Sequence, residues 1–183
     1  SRAYDLCLPL LPDDAADKVV AMIDIGAAMT LFSVTDAGKH IYSRDQLFGG
    51  EQYTRSIVSY YNKTFDEAEQ AKITNDLPPN YTFEVLAPFH TILVQQIRRA
   101  IQMFLTTSGK DKIDYLAISG GSAMVEGLET LLRDELGIHT VLINPFSAMA
   151  IAENVNKDEL AKSAPQLAVA AGLALRSFTS WHI

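Results

Sequence analysis

The sequence holds a single cysteine, Cys7, in 183 residues. One thiol cannot close an internal disulfide, so a disulfide-stapled secreted domain is excluded and a reducing compartment is favoured. Positive charge is also scarce: 15 Lys and Arg stand against 22 Asp and Glu, a formal net charge of −7. A protein that tracks duplex DNA gains affinity by neutralising phosphates, which this balance opposes, so no nucleic-acid partner is expected. Long hydrophobic runs are missing as well. The longest, Leu167 to Leu175, is about half of the ~20 residues that a membrane span needs. No basic segment leads into an apolar signal core. The four histidines, His40, His90, His139 and His182, are scattered without metal-ligand spacing.

What is present suits a folded chain. With 48% hydrophobic and 20% charged residues, the sequence can bury the core of one medium domain, or of two small lobes that share it. Leu6 to Leu11 reads as the end of a helix whose start precedes the chain, and Asp13 to Asp17 as a solvated acidic loop. Val19 to Ile23 is a continuous apolar run closed by Asp24 and Gly26, the pattern of a strand buried on both faces. Met29 to Val34 and His40 to Arg44 follow as strands, separated by the turn signal Thr35-Asp36-Ala37-Gly38-Lys39, so an antiparallel meander opens the domain. After Gly49-Gly50 comes a helix through Tyr53 and Ile57. A capping-box helix starts at Thr64-Phe65-Asp66-Glu67 and fades near Asn75. Leu86, Phe89, Leu93, Ile97, Ile101 and Phe104 then mark an amphipathic helix of about six turns. Ile113 to Ser119 and Thr140 to Ile143 read as buried strands. Between them a helix is expected from near Met124 to Gly137, and a small-residue helix from Leu167 to Leu175 closes the chain. The order β-β-β-α-α-α-β-α-β-α predicts an α/β domain with a mixed sheet.

Two loops at strand ends carry the candidate chemistry, since open α/β sheets bind ligands at the carboxyl edge. In Asp24-Ile25-Gly26-Ala27-Ala28-Met29-Thr30, a carboxylate at a strand end can hold a hydrated Mg²⁺. Gly26 permits a tight hairpin, and Thr30 adds a hydroxyl. In Ser119-Gly120-Gly121-Ser122, paired glycines and a hydroxyl leading into a helix suit an anion or nucleotide. Each loop has an ordinary structural reading: turn amides satisfied by Asp24, and a helix cap at Ser122. The second loop is neither a Walker A loop nor a dinucleotide fingerprint, nor an esterase elbow. The tyrosines Tyr53, Tyr60 and Tyr61 are expected to pack along a helix, Arg98 and Arg99 to face water, and Glu84 to stabilise a helix start.

These residues, in this order, resemble the second half of an actin-like ATPase. Val20 to Gly26 with Thr30 matches the second phosphate motif of that superfamily. Ile118 to Ser122 followed by Val125-Glu126-Gly127-Leu128 matches its adenosine motif, and Ala170 to Ala174 its second connecting helix. Gly49-Gly50-Glu51-Gln52 and Phe83-Glu84 match adenine-side elements more loosely. Within the superfamily the chain resembles the PilM family of type IV pilus assembly proteins. The carriers are Asp24 to Thr30, Arg44-Asp45-Gln46-Leu47-Phe48-Gly49-Gly50, Phe83 to Phe89, Asn144-Pro145-Phe146 and Gly172 to Phe178.

The resemblance implies a ribonuclease H-like lobe built of subdomains 2A and 2B. A residual helix and linker would occupy 1–18 and the lobe 19–183, with 2A over about 19–48 and 106–183 and 2B over about 49–105. It implies ATP and Mg²⁺ at Asp24, Gly26, Thr30, Gly50, Glu84, Gly120, Gly121 and Ser122, with Asp24 reaching the metal through water. The family's front half is absent from the chain, so this site is expected to be incomplete. No general base for hydrolysis is evident, and no catalytic residue is assigned. The implied role is a cytoplasmic adaptor at the inner membrane, held there by partners and not by lipid. It would grip the N-terminal segment of a PilN-like membrane protein through a groove in the front half and couple to the pilus motor ATPases. A homodimer, or the tail folded back on the chain, would cover apolar surface that the missing front half leaves bare. The alternative is a filament-forming actin homologue resembling the division protein FtsA.

Overall fold

The computed structural model describes residues 2–175, so the tail residues Phe178, Trp181 and His182 lie outside the described residues. A short helix α1 (Arg2–Cys7) and two 3-10 turns (Leu8–Leu10 and Asp13–Asp17) lead into β1 (Val19–Ile25), β2 (Thr30–Asp36) and β3 (Lys39–Gln46). Three helices follow: α2 (Gly50–Tyr61), α3 (Phe65–Thr74) and α4 (Ala87–Ser108). Then come β4 (Tyr115–Ser119), α5 (Leu128–Leu136), β5 (His139–Leu142), α6 (Lys157–Ser163) and α7 (Ala168–Ala174). The five strands form one mixed sheet in the order β3-β2-β1-β4-β5. β1, β2 and β3 are antiparallel neighbours, as the meander predicted, whereas β4 runs parallel to β1 and β5 parallel to β4.

Alternation along the strands divides the core. Ala21, Ile23 and Ile25 of β1 and Leu116 and Ile118 of β4 face a large cluster with Leu93, Ile97 and Phe104 of α4, Ile57 of α2 and Leu128 and Leu132 of α5. The predicted inward stripe of α4 is buried throughout. Val20 and Met22 of β1 and Ala117 of β4 face the other way, against Cys7, Leu11, Ala15 and Ala168. The acidic segment predicted as a solvated loop is thus a 3-10 turn that seats Ala15 at 1% exposure, while Asp13 and Asp14 stay in water.

Local chemistry sets the element ends. Thr64 caps α3 and Glu67 returns a bond to the Thr64 amide at 2.8 Å, the predicted capping box; left-handed Asn75 ends the helix. Three features differ from expectation. A π-helical turn, Thr82–Leu86, feeds into α4. The helix expected from near Met124 starts at Leu128, because Gly121–Met124 is a separate 3-10 turn and Gly127 takes φ +77°. Helix α6 was not foreseen.

Candidate nucleotide-side loop cluster

The parallel pairing of β1 with β4 sets Asp24 opposite Ser119, at the carboxyl ends of adjacent strands. Both residues belong to the less covered sheet face, the one shared with Val20 and Ala117. Asp24 is half-buried, and Ser119 Oγ donates to its Oδ1 at 2.9 Å. One carboxylate oxygen is therefore positioned by the protein. The chain then turns after β1 in a hairpin closed by Gly26 N–H donating to Met29 O at 3.0 Å. After β4 it turns through Gly120, Gly121 and Ser122.

These two loops are tied to each other and to the start of α2. The Gly26 carbonyl accepts from Ser122 Oγ at 3.1 Å and from Gly50 N–H at 2.9 Å. Glu51 N–H donates to Ala27 O at 2.8 Å. A Cβ at Gly50 would meet Ser122 Oγ, so a side chain there would displace the hydroxyl that holds Gly26 O. Gly120 has φ +93°, and a Cβ on it would lie 2.4 Å from Ile25 O. Its N–H donates to Pro165 O at 2.9 Å, which ties the loop to the 3-10 turn Ala164–Leu167 that precedes α7. Gly121, by contrast, is exposed, and its nearest prospective Cβ neighbour is Gln166 Oε1 at 3.8 Å.

Of the residues proposed from sequence, Asp24, Gly26, Gly50, Gly120, Gly121 and Ser122 thus gather at one sheet edge. Thr30 needs correction: it is 4% exposed and its hydroxyl donates to Phe48 O at 2.7 Å, so that hydroxyl is spent within the core. Glu84 stands apart, exposed on the π turn and bonded by the Tyr60 hydroxyl near the far end of α2; that bond pushes the Tyr60 pKa up. Helix α2 is twelve residues long, and ten residues of rise put Tyr60 about 15 Å from Gly50. The helix dipole argument for the Gly120 loop is also corrected. α5 begins six residues beyond Ser122, so only the first amides of a 3-10 turn, at Gly121 and Ser122, stand at the loop. The amides of Gly50 and Glu51 at the start of α2 are occupied by Gly26 and Ala27.

Sequence reasoning missed the clamp from Ser119 on Asp24 and the role of Pro165. The serine at the strand end was visible, but its partner depends on a parallel register across ninety-five positions. The tyrosine group splits: Tyr53 is buried against Phe89 with centroids 5.1 Å apart, while Tyr60 is exposed. Arg98 does not simply face water, since it donates to Glu135 O at 2.7 Å.

An antiparallel meander continued by parallel strands, with a carboxylate and a glycine turn at one edge, is the architecture of an actin-like ATPase lobe. An archaeal actin homologue, Ta0583, superimposes over 98% of this chain with a TM-score of 0.64 at 17% identity, covering 54% of that protein. The chain belongs to the family of type IV pilus assembly protein PilM, whose model matches residues 1–178. A chain of a PilM-PilN type IV pilus biogenesis complex aligns with 98% of this chain at 26% identity and a TM-score of 0.83. Ethanolamine utilization protein EutJ of Salmonella typhimurium is 29% identical over 121 residues, 64% of this chain. The chain spans 51% of that chain of the complex and 40% of EutJ, about half the length of these relatives.

Proposed function

We propose that this chain forms the nucleotide-side lobe of an actin-like adaptor in the inner-membrane platform that assembles type IV pili. The observation that carries the nucleotide reading is the junction of half-open Asp24 with the exposed Gly121 turn at one sheet edge. Asp24 offers an oxygen ligand suited to a hydrated hard cation, and the fixed Oδ1 leaves Oδ2 to face that water. The residues fit Mg-ATP: Asp24 would orient the metal's water, and the Gly121 and Ser122 amides would face phosphate oxygens. A bound Mg²⁺ supplies charge neutralisation for the triphosphate. Gly26 and Gly50 would shape the hairpin wall, and Glu84 would lie toward the sugar or base.

In the whole protein, an opposing lobe would close over this sheet face. A PilN-like membrane protein would be gripped through its N-terminal segment, in keeping with the complex formed by the PilM relative. Linking that grip to the motor ATPases would make the protein a cytoplasmic adaptor, peripheral at the inner membrane. Among the described residues no helix is long and apolar enough to cross a membrane. In this reading the protein partners supply the membrane attachment.

Titration calorimetry with Mg-ATP tests the site. If the opposing lobe supplies about 4 kcal/mol, this chain alone binds about a thousandfold more weakly than the two-lobed protein, in the millimolar range. Asp24→Ala and Gly121→Val should each weaken it further. Binding that neither substitution changes, or micromolar binding by the chain alone, would overturn this placement.

A further inference from the structure

The methionines differ in what their sulfurs meet. Met22 is buried, whereas Met29, Met103, Met124 and Met149 are exposed. Among the described residues Met103 alone of these four accepts a hydrogen bond at sulfur: Arg44 Nη1 donates to its Sδ at 2.9 Å, where β3 meets α4. Arg44 has little else. It is half-buried, its Nε is buried with no partner, and no carboxylate pairs with it among the described residues. The contact is held in place by its neighbours, since the Tyr42 ring lies edge-on to Phe104 at 5.4 Å. Neither Arg44 nor Met103 belongs to the Asp24 cluster. A thioether is a weak acceptor, so a stronger acceptor facing this guanidinium nitrogen would be stabilising.

We propose that Met103 is a reversible oxidation site whose sulfoxide oxygen is held by Arg44 Nη1. The oxidant class is a peroxide, with hydrogen peroxide the simplest case. The sulfur lone pair forms the S–O bond as the O–O bond breaks. Sulfur gives up two electrons, and the departing oxygen takes the proton of the transferred one and leaves as water. Methionine sulfoxide reductases return the thioether. Oxidation of methionine ordinarily sets a polar group where an apolar one packed and costs stability. At Met103 the sign reverses. The S=O oxygen accepts from a cation already in position, and a charge-assisted bond is about twice as strong as a neutral one. Met29, Met124 and Met149 are open to the same oxidant but have no cation at sulfur, so oxidation there gains no such bond.

The test uses the chain with Met29, Met124 and Met149 replaced by Leu. Hydrogen peroxide treatment is followed by peptide mass spectrometry and urea unfolding. One added oxygen at Met103 is expected, with a rise of at least about fivefold in the folded-to-unfolded ratio, the worth of one net hydrogen bond. With Arg44→Leu the oxygen should still add, and the ratio should stay level or fall. Met103→Leu should gain neither oxygen nor stability, which excludes oxidation elsewhere as the cause. Should Arg44→Leu not fold, the Arg44 guanidinium protons report instead, and their exchange with water should slow when Met103 is oxidised. Four results would overturn the proposal: no oxygen at Met103 under conditions that oxidise Met29 in the parent chain, a ratio that does not rise, an equal rise with Arg44→Leu, or guanidinium exchange that does not slow.

Discussion

The two faces of the sheet are built to different standards. One is sealed by α4, α2 and α5, and Ile23, Phe32 and Ile118, which it receives from β1, β2 and β4, are each at most 1% exposed. The other is covered over β1, β4 and β5 by α1, its following turns and α7, but over β2 and β3 it leaves Leu31 and Ile41 each 38% exposed. Asp24 and Ser119 lie on this second face, and Asp24 pairs in register with Leu31. The sealed face supplies stability, and the thin face carries the candidate site. A carboxylate on the sealed face would lose its hydration and have to be neutralised or paired; on the thin face Asp24 stays half-open to water.

The comparison predicts unequal costs of substitution. Phe104 is fully buried, with the Tyr42 ring edge-on at 5.4 Å and Phe32 beyond it. Phe104→Ala removes a large side chain from a layer fixed by the sheet, and should cost about 3–5 kcal/mol in urea unfolding. A loss below about 1 kcal/mol would mean that this face is looser than its burial implies. The next largest effect belongs to the joint between the faces. Gly120→Ala forces φ +93° on an L-residue and drives a Cβ into the β1 backbone at Ile25, so a loss of at least about 2 kcal/mol is expected. Gly121→Ala, one position on, has space and ordinary φ and should be within about 0.5 kcal/mol of the parent. Equal losses at the two positions would show that the turn is not held as described.

The sealed face was legible in the sequence, whereas of the thin face only the two-sided burial of β1 and the closing small-residue helix were, for a physical reason. Periodicity reports burial: the α4 stripe from Phe89 to Phe104 marks one buried side of that helix. Short-range chemistry was equally plain in the Thr64 and Glu67 box. Helix α6 gives no such signal, since none of its residues is buried. Only Asn156, which accepts from the Asp158 and Glu159 amides, marks its start. For the site, the loop residues could be picked by type, but their joining depends on tertiary register. Thr30 looked like a ligand hydroxyl because it follows the hairpin, yet pleat alternation turns it inward with Phe32. The separation of Gly121–Met124 from α5 follows from a left-handed Gly127, whose conformation a glycine permits without requiring.

Cys7 measures the thin face from inside. Its side chain is 0% exposed and burial raises the thiol pKa to about 12, so at pH 8 it is both shielded and protonated. Alkylation then requires α1 to lift. The outer cover is expected to open at lower free energy than the whole domain, so iodoacetamide should label Cys7 at urea concentrations below the global midpoint. Labelling that coincides with global unfolding would show the two faces to be one cooperative unit. The thiol also sets a pH window. Its contribution to stability is complete below pH 9, the ordinary value from which the pKa rises. It is lost as pH climbs toward 12, because the unfolded chain ionises first.

The smallest effect is expected at the outermost layer. In α7, Ala168 and Gly172 turn toward the sheet, whereas Val169 is 46% and Leu173 54% exposed. Leu173→Ser therefore removes little buried area from this chain and should change its unfolding free energy by no more than about 0.5 kcal/mol. The same substitution acts on association if that apolar strip is a docking surface for an opposing lobe or a second copy. Sedimentation velocity across a concentration series separates the cases. A self-association that Leu173→Ser weakens at unchanged stability assigns the strip to an interface between copies. Concentration-independent sedimentation by both proteins removes the homodimer and leaves the strip to another partner. A stability loss above about 1.5 kcal/mol would instead place Leu173 in the core, and the thin face would then be thicker than its exposed side chains indicate.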